Sequence, residues 1–212
     1  MESLLLSLLV MHMYDTSDDI TALISARICH DLASPLGAIA NGVELLELSG
    51  VAEIPEAVLL ADSVNCATAR MAFIRVAYGF ANSRSLMAPS QAQQLLSGIF
   101  ADRKINLQWR VSQDIPKPLA KLLFLLTQCC ETALPYGGEI QLNQRGDVYD
   151  LHTNAKEVRH EPDLWACLTS DAARPALTSA LVHFELARLQ AVKLGRDVRV
   201  RFSDTTLDMT VQ

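Results

Sequence analysis

Ala26-Arg27-Ile28-Cys29-His30-Asp31-Leu32-Ala33-Ser34-Pro35-Leu36-Gly37-Ala38-Ile39 is the stretch whose reading decides the fold. Apolar residues recur at Ile28, Leu32, Pro35, Ile39, Gly42 and Leu46, in steps that alternate four and three. That spacing is the seam of a helix packed lengthwise against other helices. His30 lies off the seam, midway between Ile28 and Leu32, so its imidazole should point outward beside the Asp31 carboxylate. Pro35 removes one backbone donor and should kink the helix about a turn below His30.

Upstream, Asp15-Thr16-Ser17-Asp18-Asp19 supplies capping and acidic residues for a helix start. Downstream, Ser49-Gly50 supplies a stop. Val51 to Ile54 is a short loop, and Pro55 suits the first turn of a second helix expected to run to about Ala81. Its seam is Leu60, Val64, Ala67, Met71, Ile74 and Tyr78. Two long helices on a short loop make an antiparallel hairpin. A hairpin alone cannot bury a two-sided seam, whereas two hairpins side by side form a four-helix bundle. A twofold homodimer is therefore expected, through Ile28, Leu32, Ile39, Val64, Met71 and Ile74. The alternative is a monomer whose second domain covers the hairpin.

Leu4 to Met13 is strongly apolar. It is too short to span a bilayer and lacks the basic region and cleavage site of a signal peptide. It reads as an ordered or partner-covered leader helix, or as one that touches a membrane. Asn82-Ser83-Arg84-Ser85 looks like a linker. The chain then divides into a leader at 1–14, a hairpin domain at 15–83 and a second domain at 84–212.

The second domain should open with a helix from Pro89 to about Phe100 and a strand from Ile105 to Val111. An apolar helix from Pro116 to Leu134 leads through Gly137-Gly138 to strands at Glu139 to Asn143 and Val148 to Thr153, turning at Gly146-Asp147. Helices at Pro162 to Leu168 and Pro175 to Leu194 precede a hairpin of Val198 to Phe202 and Thr206 to Val211. Helices interspersed with a mostly antiparallel sheet give an α/β sandwich, so the whole chain is of the α+β class.

Composition narrows the function. The chain has 212 residues, of which 50% are apolar, enough for a proper core. A net charge of -6 and a pI of about 5.3 speak against nucleic acid as a partner. Cys29, Cys66, Cys129, Cys130 and Cys167 contain no C-x-x-C, and an odd, scattered set suits a reducing cytoplasm. Cys29 is either a buried helix cysteine or a redox switch beside His30.

His30-Asp31-Leu32-x-x-Pro35-Leu36, on a helix long enough to form a hairpin, resembles the H-box of sensor histidine kinases. In that family the His is phosphorylated, the next residue is acidic and the Pro falls five residues on. The order of hairpin then α/β sandwich likewise resembles the kinase layout of dimerisation domain and ATPase domain. Two Asn that hold nucleotide and Mg²⁺ in those kinases are matched here by Gln128 and Thr132, in Leu126-Thr127-Gln128-Cys129-Cys130-Glu131-Thr132. Glu131 remains, either as a metal ligand or base, or as an ordinary helix-surface residue. Between Gly146 and Gly195 there is no glycine, although both Gly-rich nucleotide loops would lie in that interval. An intact phospho-acceptor His ahead of a degenerate ATPase-like domain resembles the ChpT-type histidine phosphotransferases of alphaproteobacteria.

That resemblance implies a cytoplasmic homodimer without a membrane span. It would take phosphate from the receiver domain of a hybrid histidine kinase onto His30 and pass it to the receivers of response regulators. No cofactor is expected on this chain; Mg²⁺ would sit on the receiver. A neutral imidazole nitrogen would be the attacking group. Asp31 either orients the imidazole and takes a proton, or is solvated. Arg27, with Ser34 nearby, either supports the phosphoryl group or faces water. Gly37, Ala38, Asn41 and Leu45 run down the outward face below His30 and leave room for a receiver helix. The other readings are a divergent ATP-dependent sensor kinase, or a non-catalytic dimeric adaptor with a vestigial H-box.

Overall fold

The computed structural model describes residues 21, 25, 28–30, 32–33, 36–46, 48, 55–100, 104–169 and 178–212. The leader Leu4 to Met13, the helix start at 15–19, Pro35 and the stop and loop at 49–54 lie outside the described residues.

The described residues from 21 to 46 are helical, with α1 continuous over Leu36–Leu46. The returning helix α2 spans Pro55–Ala77. Ser25, Cys29 and Val43 are buried, and the Cys29 Sγ lies 3.9 Å from the Met71 carbonyl. That contact sets the antiparallel register: residues 70 and 71 of α2 stand level with His30. The stripe buried within the hairpin is therefore offset from the expected seam. Ile28, Leu32, Ile39, Leu46, Leu60 and Ile74 stay exposed in the protomer, whereas Val64 is already buried. Among the described residues, nothing of the second domain covers these exposed seam positions.

One helix end and one seam residue need correction. The helix ends at Ala77, four residues short of Ala81, because Gly79 packs onto the preceding turn. A Cβ at Gly79 would stand 2.2 Å from the Arg75 carbonyl oxygen. Tyr78 thus lies past the helix end and serves the second domain, as described below.

The second domain begins with β1 (Leu86–Met87), α3 (Pro89–Phe100), β2 (Ile105–Arg110), β3 (Ile115–Pro116) and α4 (Lys117–Thr132). It continues with β4 (Gly138–Arg145), β5 (Val148–Asn154), α5 (Pro162–Thr169), α6 (Val182–Leu194), β6 (Val198–Phe202) and β7 (Thr206–Val211). The helix expected from Pro175 begins only at Val182: residues 179–181 form a turn, and 175–177 lie outside the described residues.

Five strands form one sheet in the order β2-β4-β5-β7-β6. Only β2 and β4 are parallel, joined by the crossover through α4. Strict alternation buries Ile140, Leu142, Leu151, Leu207, Met209 and Val211 on one face. The opposite face carries Gln108, Glu139, Asp150, His152 and Asp208. A sheet apolar on one side needs one helical layer, and α3, α4, α5 and α6 supply it. Helix α4 is buried along nearly its whole length, which explains its apolar residues on every side. At the sheet edge, the Trp109 backbone N–H has no neighbouring strand to donate to; Gln93 of α3 accepts it through Oε1 at 3.0 Å.

β1 and β3 make a separate two-stranded ladder, Leu86 opposite Pro116 and Met87 opposite Ile115. The core is continuous with the hairpin: Phe73 and Ala77 of α2 are wholly buried in the same apolar cluster as α4 and the sheet. Among the described residues, Ala57–Ala77 is long and apolar enough to cross a membrane by length and composition alone. Its apolar character has a second cause: α2 packs against α1 on one side and against α3 and α4 on another.

Candidate functional site

His30 sits on the first helix and is exposed, while its neighbour Cys29 is buried against α2. Helical geometry puts residues one apart about 100° round the axis. Burying Cys29 therefore turns His30 towards the flank of the hairpin. Arg27, Asp31 and Ser34 lie outside the described residues.

Gly37, Ala38, Asn41 and Leu45 are all exposed, Leu45 by 67%. A Cβ built on Gly37 or Gly42 meets nothing within 4 Å. Spacing of seven, four and four residues puts His30, Gly37, Asn41 and Leu45 in one row along the helix. The row carries no charge, and its bulk is confined to Leu45; among the described residues nothing of the second domain buries it.

The positions matched to nucleotide-holding Asn have other occupations. Gln128 Oε1 accepts a hydrogen bond from Tyr78 Oη at 2.9 Å. Thr132 Oγ1 lies 3.1 Å from the Gln128 carbonyl and 3.1 Å from His183 Nε2. Each side chain is tied into the protein. Glu131 lines a cleft of about 540 Å³ walled by Arg70 of α2 and by Lys104, Pro135 and Tyr136 of the second domain. Since Arg70 adjoins Met71, that cleft stands level with His30 along the hairpin. Among the described residues, no group of three or more His, Cys, Asp or Glu is placed to hold a metal ion.

Neither Cys129 nor Cys130 is poised for chemistry. Both are fully buried, and burial pushes both thiols well above the ordinary thiol range.

Burial lowers the His183 imidazole to about 4. Unfolded, it binds a proton below about pH 6.5. Between those values the unfolded chain holds more protons than the folded one, so stability falls as pH drops. Between pH 7.5 and 5 the expected loss from this group is about 2 kcal/mol. Urea unfolding at both pH values should show it, and His183→Gln should lose that much less than the parent. Equal losses in the two proteins would remove His183 as the cause.

Residues 89–206 match the family model of the histidine phosphotransferase C-terminal domain. Protein phosphotransferase ChpT of Brucella abortus (strain 2308) is 37% identical over 134 residues, 62% of this chain and 64% of that protein. The match thus spans less than two thirds of that relative's length. A bacterial phosphotransferase solved at 1.7 Å is 29% identical, with a TM-score of 0.67 over 92% of this chain and 96% of that one. The Acinetobacter baumannii histidine kinase AdeS is more distant, 12% identical with a TM-score of 0.45 over 86% of this chain and 95% of that one.

Proposed function

Because this chain belongs to the histidine phosphotransferase family, we propose that it relays phosphate between receiver-domain aspartates through His30, without using ATP. The observation that carries the proposal is the exposed His30 above the exposed, uncharged row of Gly37, Ala38, Asn41 and Leu45. A neutral imidazole nitrogen attacks the phosphorus of an aspartyl phosphate. An N–P bond forms, the acyl P–O bond breaks, and the aspartate leaves as a carboxylate. The reverse step hands the phosphoryl group to the next receiver. Such transfer is chiefly alignment and charge neutralisation. The receiver contributes its acidic pocket and Mg²⁺; this chain contributes His30, with Asp31 orienting the ring and Arg27 and Ser34 beside the phosphoryl group.

Gly37, Ala38, Asn41 and Leu45 form the receiver-docking row. Hairpins of two copies pair through the exposed seam, giving a cytoplasmic homodimer. The second domain is an ATPase-like sandwich whose nucleotide positions have been put to internal use. Two features support the ATP-free reading: the engaged Gln128 and Thr132 side chains, and the glycine-free run from Gly146 to Gly195.

Two labelling reactions test the proposal side by side. A phosphorylated receiver of a hybrid kinase should label the protein within minutes. ATP with labelled γ-phosphate and Mg²⁺ should not. Labelling from ATP would make it a kinase, and no labelling from receivers of the same genome would leave a binding adaptor.

A further inference from the structure

We propose that the hairpin and the second domain move as one rigid body throughout phosphoryl transfer, with Tyr78 and Gln128 as positioning residues at their junction. The inference deepens the phosphotransfer role proposed for His30 and rests on it.

Three kinds of contact cross the junction. The first is core packing. Phe73 of α2 is 0% exposed and stacks on Phe124 of α4, ring centroids 5.3 Å apart and planes 24° from parallel. Trp109 of β2 meets the same Phe124 ring edge-on at 6.0 Å. A ring enclosed in this way cannot slide without opening a cavity, and close-packed interiors resist that. The second is direct helix contact. A Cβ built on Gly98 of α3 would stand 3.0 Å from the Ala69 Cβ of α2. The missing side chain at Gly98 lets the two helices pack this closely without either giving way.

The third is polar. Tyr78 Oη donates to Gln128 Oε1 at 2.9 Å, and the buried Lys121 ammonium donates to the Gly79 carbonyl at 3.2 Å. Separating the halves would strip those partners from groups shielded from water, which is costly on both sides. Helical rise spreads the contacts from Ala69 to Gly79 over about 15 Å. A hinge needs a short crossing with few contacts.

The expected linker is no hinge either. The Ser85 N–H donates to the Asn82 carbonyl at 3.1 Å and the Arg84 N–H to Asn82 Oδ1 at 2.9 Å. The Ser85 carbonyl in turn accepts the first N–H of α4, from Lys117, at 2.9 Å. The cleft between Arg70 and Lys104 therefore has fixed walls, and a receiver approaching His30 meets a surface that needs no ordering.

The close approach of α2 and α3 supplies the test. The Cβ built on Gly98 stands 3.0 Å from the Ala69 Cβ and disulfide-bonded Cβ atoms stand about 3.8 Å apart, so Ala69→Cys with Gly98→Cys, on a Cys66→Ser background, should cross-link on oxidation with the helices giving by less than about 1 Å. Oxidised and reduced forms should then transfer phosphate in both directions at rates within about 2-fold, because no gating motion is lost. A loss of about 10-fold or more on oxidation, regained with reductant, would overturn the proposal. Spin labels at Asp62→Cys and Asp197→Cys, also on the Cys66→Ser background, give a readout independent of transfer. With the labelled chain mixed into a large excess of unlabelled chain, so that pairs within one protomer dominate, one narrow distance is expected in the otherwise unaltered chain, and broadening in Gln128→Asn, whose amide is too short to reach Tyr78. A broad or split distance without Gln128→Asn would overturn the rigid junction even if His30 transfers phosphate normally. A narrow distance beside absent transfer would instead indict the role given to His30.

Discussion

His30→Gln should abolish phosphate acceptance from every receiver while the protein stays folded. Gln keeps comparable bulk and hydrogen bonding but has no nucleophilic ring nitrogen, and no route to an N–P bond remains. His30 is helical and exposed, and Gln is a good helix former. Exposed substitutions away from core and caps change stability by less than about 0.5 kcal/mol. Melting temperature and receiver affinity should therefore match the parent, separating loss of chemistry from loss of fold. The other described histidines are less suited to the role. His152 Nδ1 is held 2.6 Å from Asp208 Oδ1, His160 stacks on Phe202 at 4.0 Å, and His183 is buried beside Thr132. The phosphorylated parent should lose its label in acid and keep it in alkali, as a phosphoramidate does. Undiminished transfer by His30→Gln would move the acceptor elsewhere, and transfer lost together with unfolding would make His30 a structural residue.

What was legible in the sequence follows from the length of each pattern. Strands β4, β5 and β7 alternate over six residues or more, so period two was visible and their bounds fell within two residues of the structure. β1 and β3 have two residues each, too few to show any period. The end of α2 was misplaced because helical spacing continues through Tyr78, whereas Gly79 and the Gln128 hydrogen bond decide otherwise. Phe73 lies off the α2 seam, so a single stripe of helical spacing does not reveal its burial. Its signal was present in Met71-Ala72-Phe73-Ile74, apolar all round, since such a run must pack on more than one side. In the candidate site, the helical phase that puts Ile28 on a seam also puts His30 outside it, so the exposure of His30 was readable. The junction was not, because Tyr78 and Gln128 are 50 residues apart and meet only in the folded chain.

Ile39→Asp should dissociate the dimer and leave the protomer folded. Ile28, Leu32, Ile39 and Leu46 are between 40% and 52% exposed, and they line one side of the first helix. Contiguous apolar surface of this kind marks an interaction site. A twofold axis along the hairpin would bring each such residue near its own copy, so a single substitution places two carboxylates in the same interface. Burying an unpaired charge costs several kcal/mol, and about 3 kcal/mol per dimer already weakens association roughly 100-fold. In the isolated protomer the same carboxylate stands in water, since Ile39 is 46% exposed there. Ile39 is a cleaner probe than Met71, which is half-buried within its own hairpin and whose carbonyl meets Cys29. Sedimentation velocity at micromolar concentration should give a dimer for the parent and a monomer for Ile39→Asp, with unchanged far-ultraviolet circular dichroism. The second domain has its own core, tied to α2 through Phe73 and Ala77 rather than through the seam, so unfolding on dissociation is not expected there. A parent that sediments as a monomer, or an Ile39→Asp protein that stays dimeric, would remove the seam from the interface and leave its exposed face to the receiver.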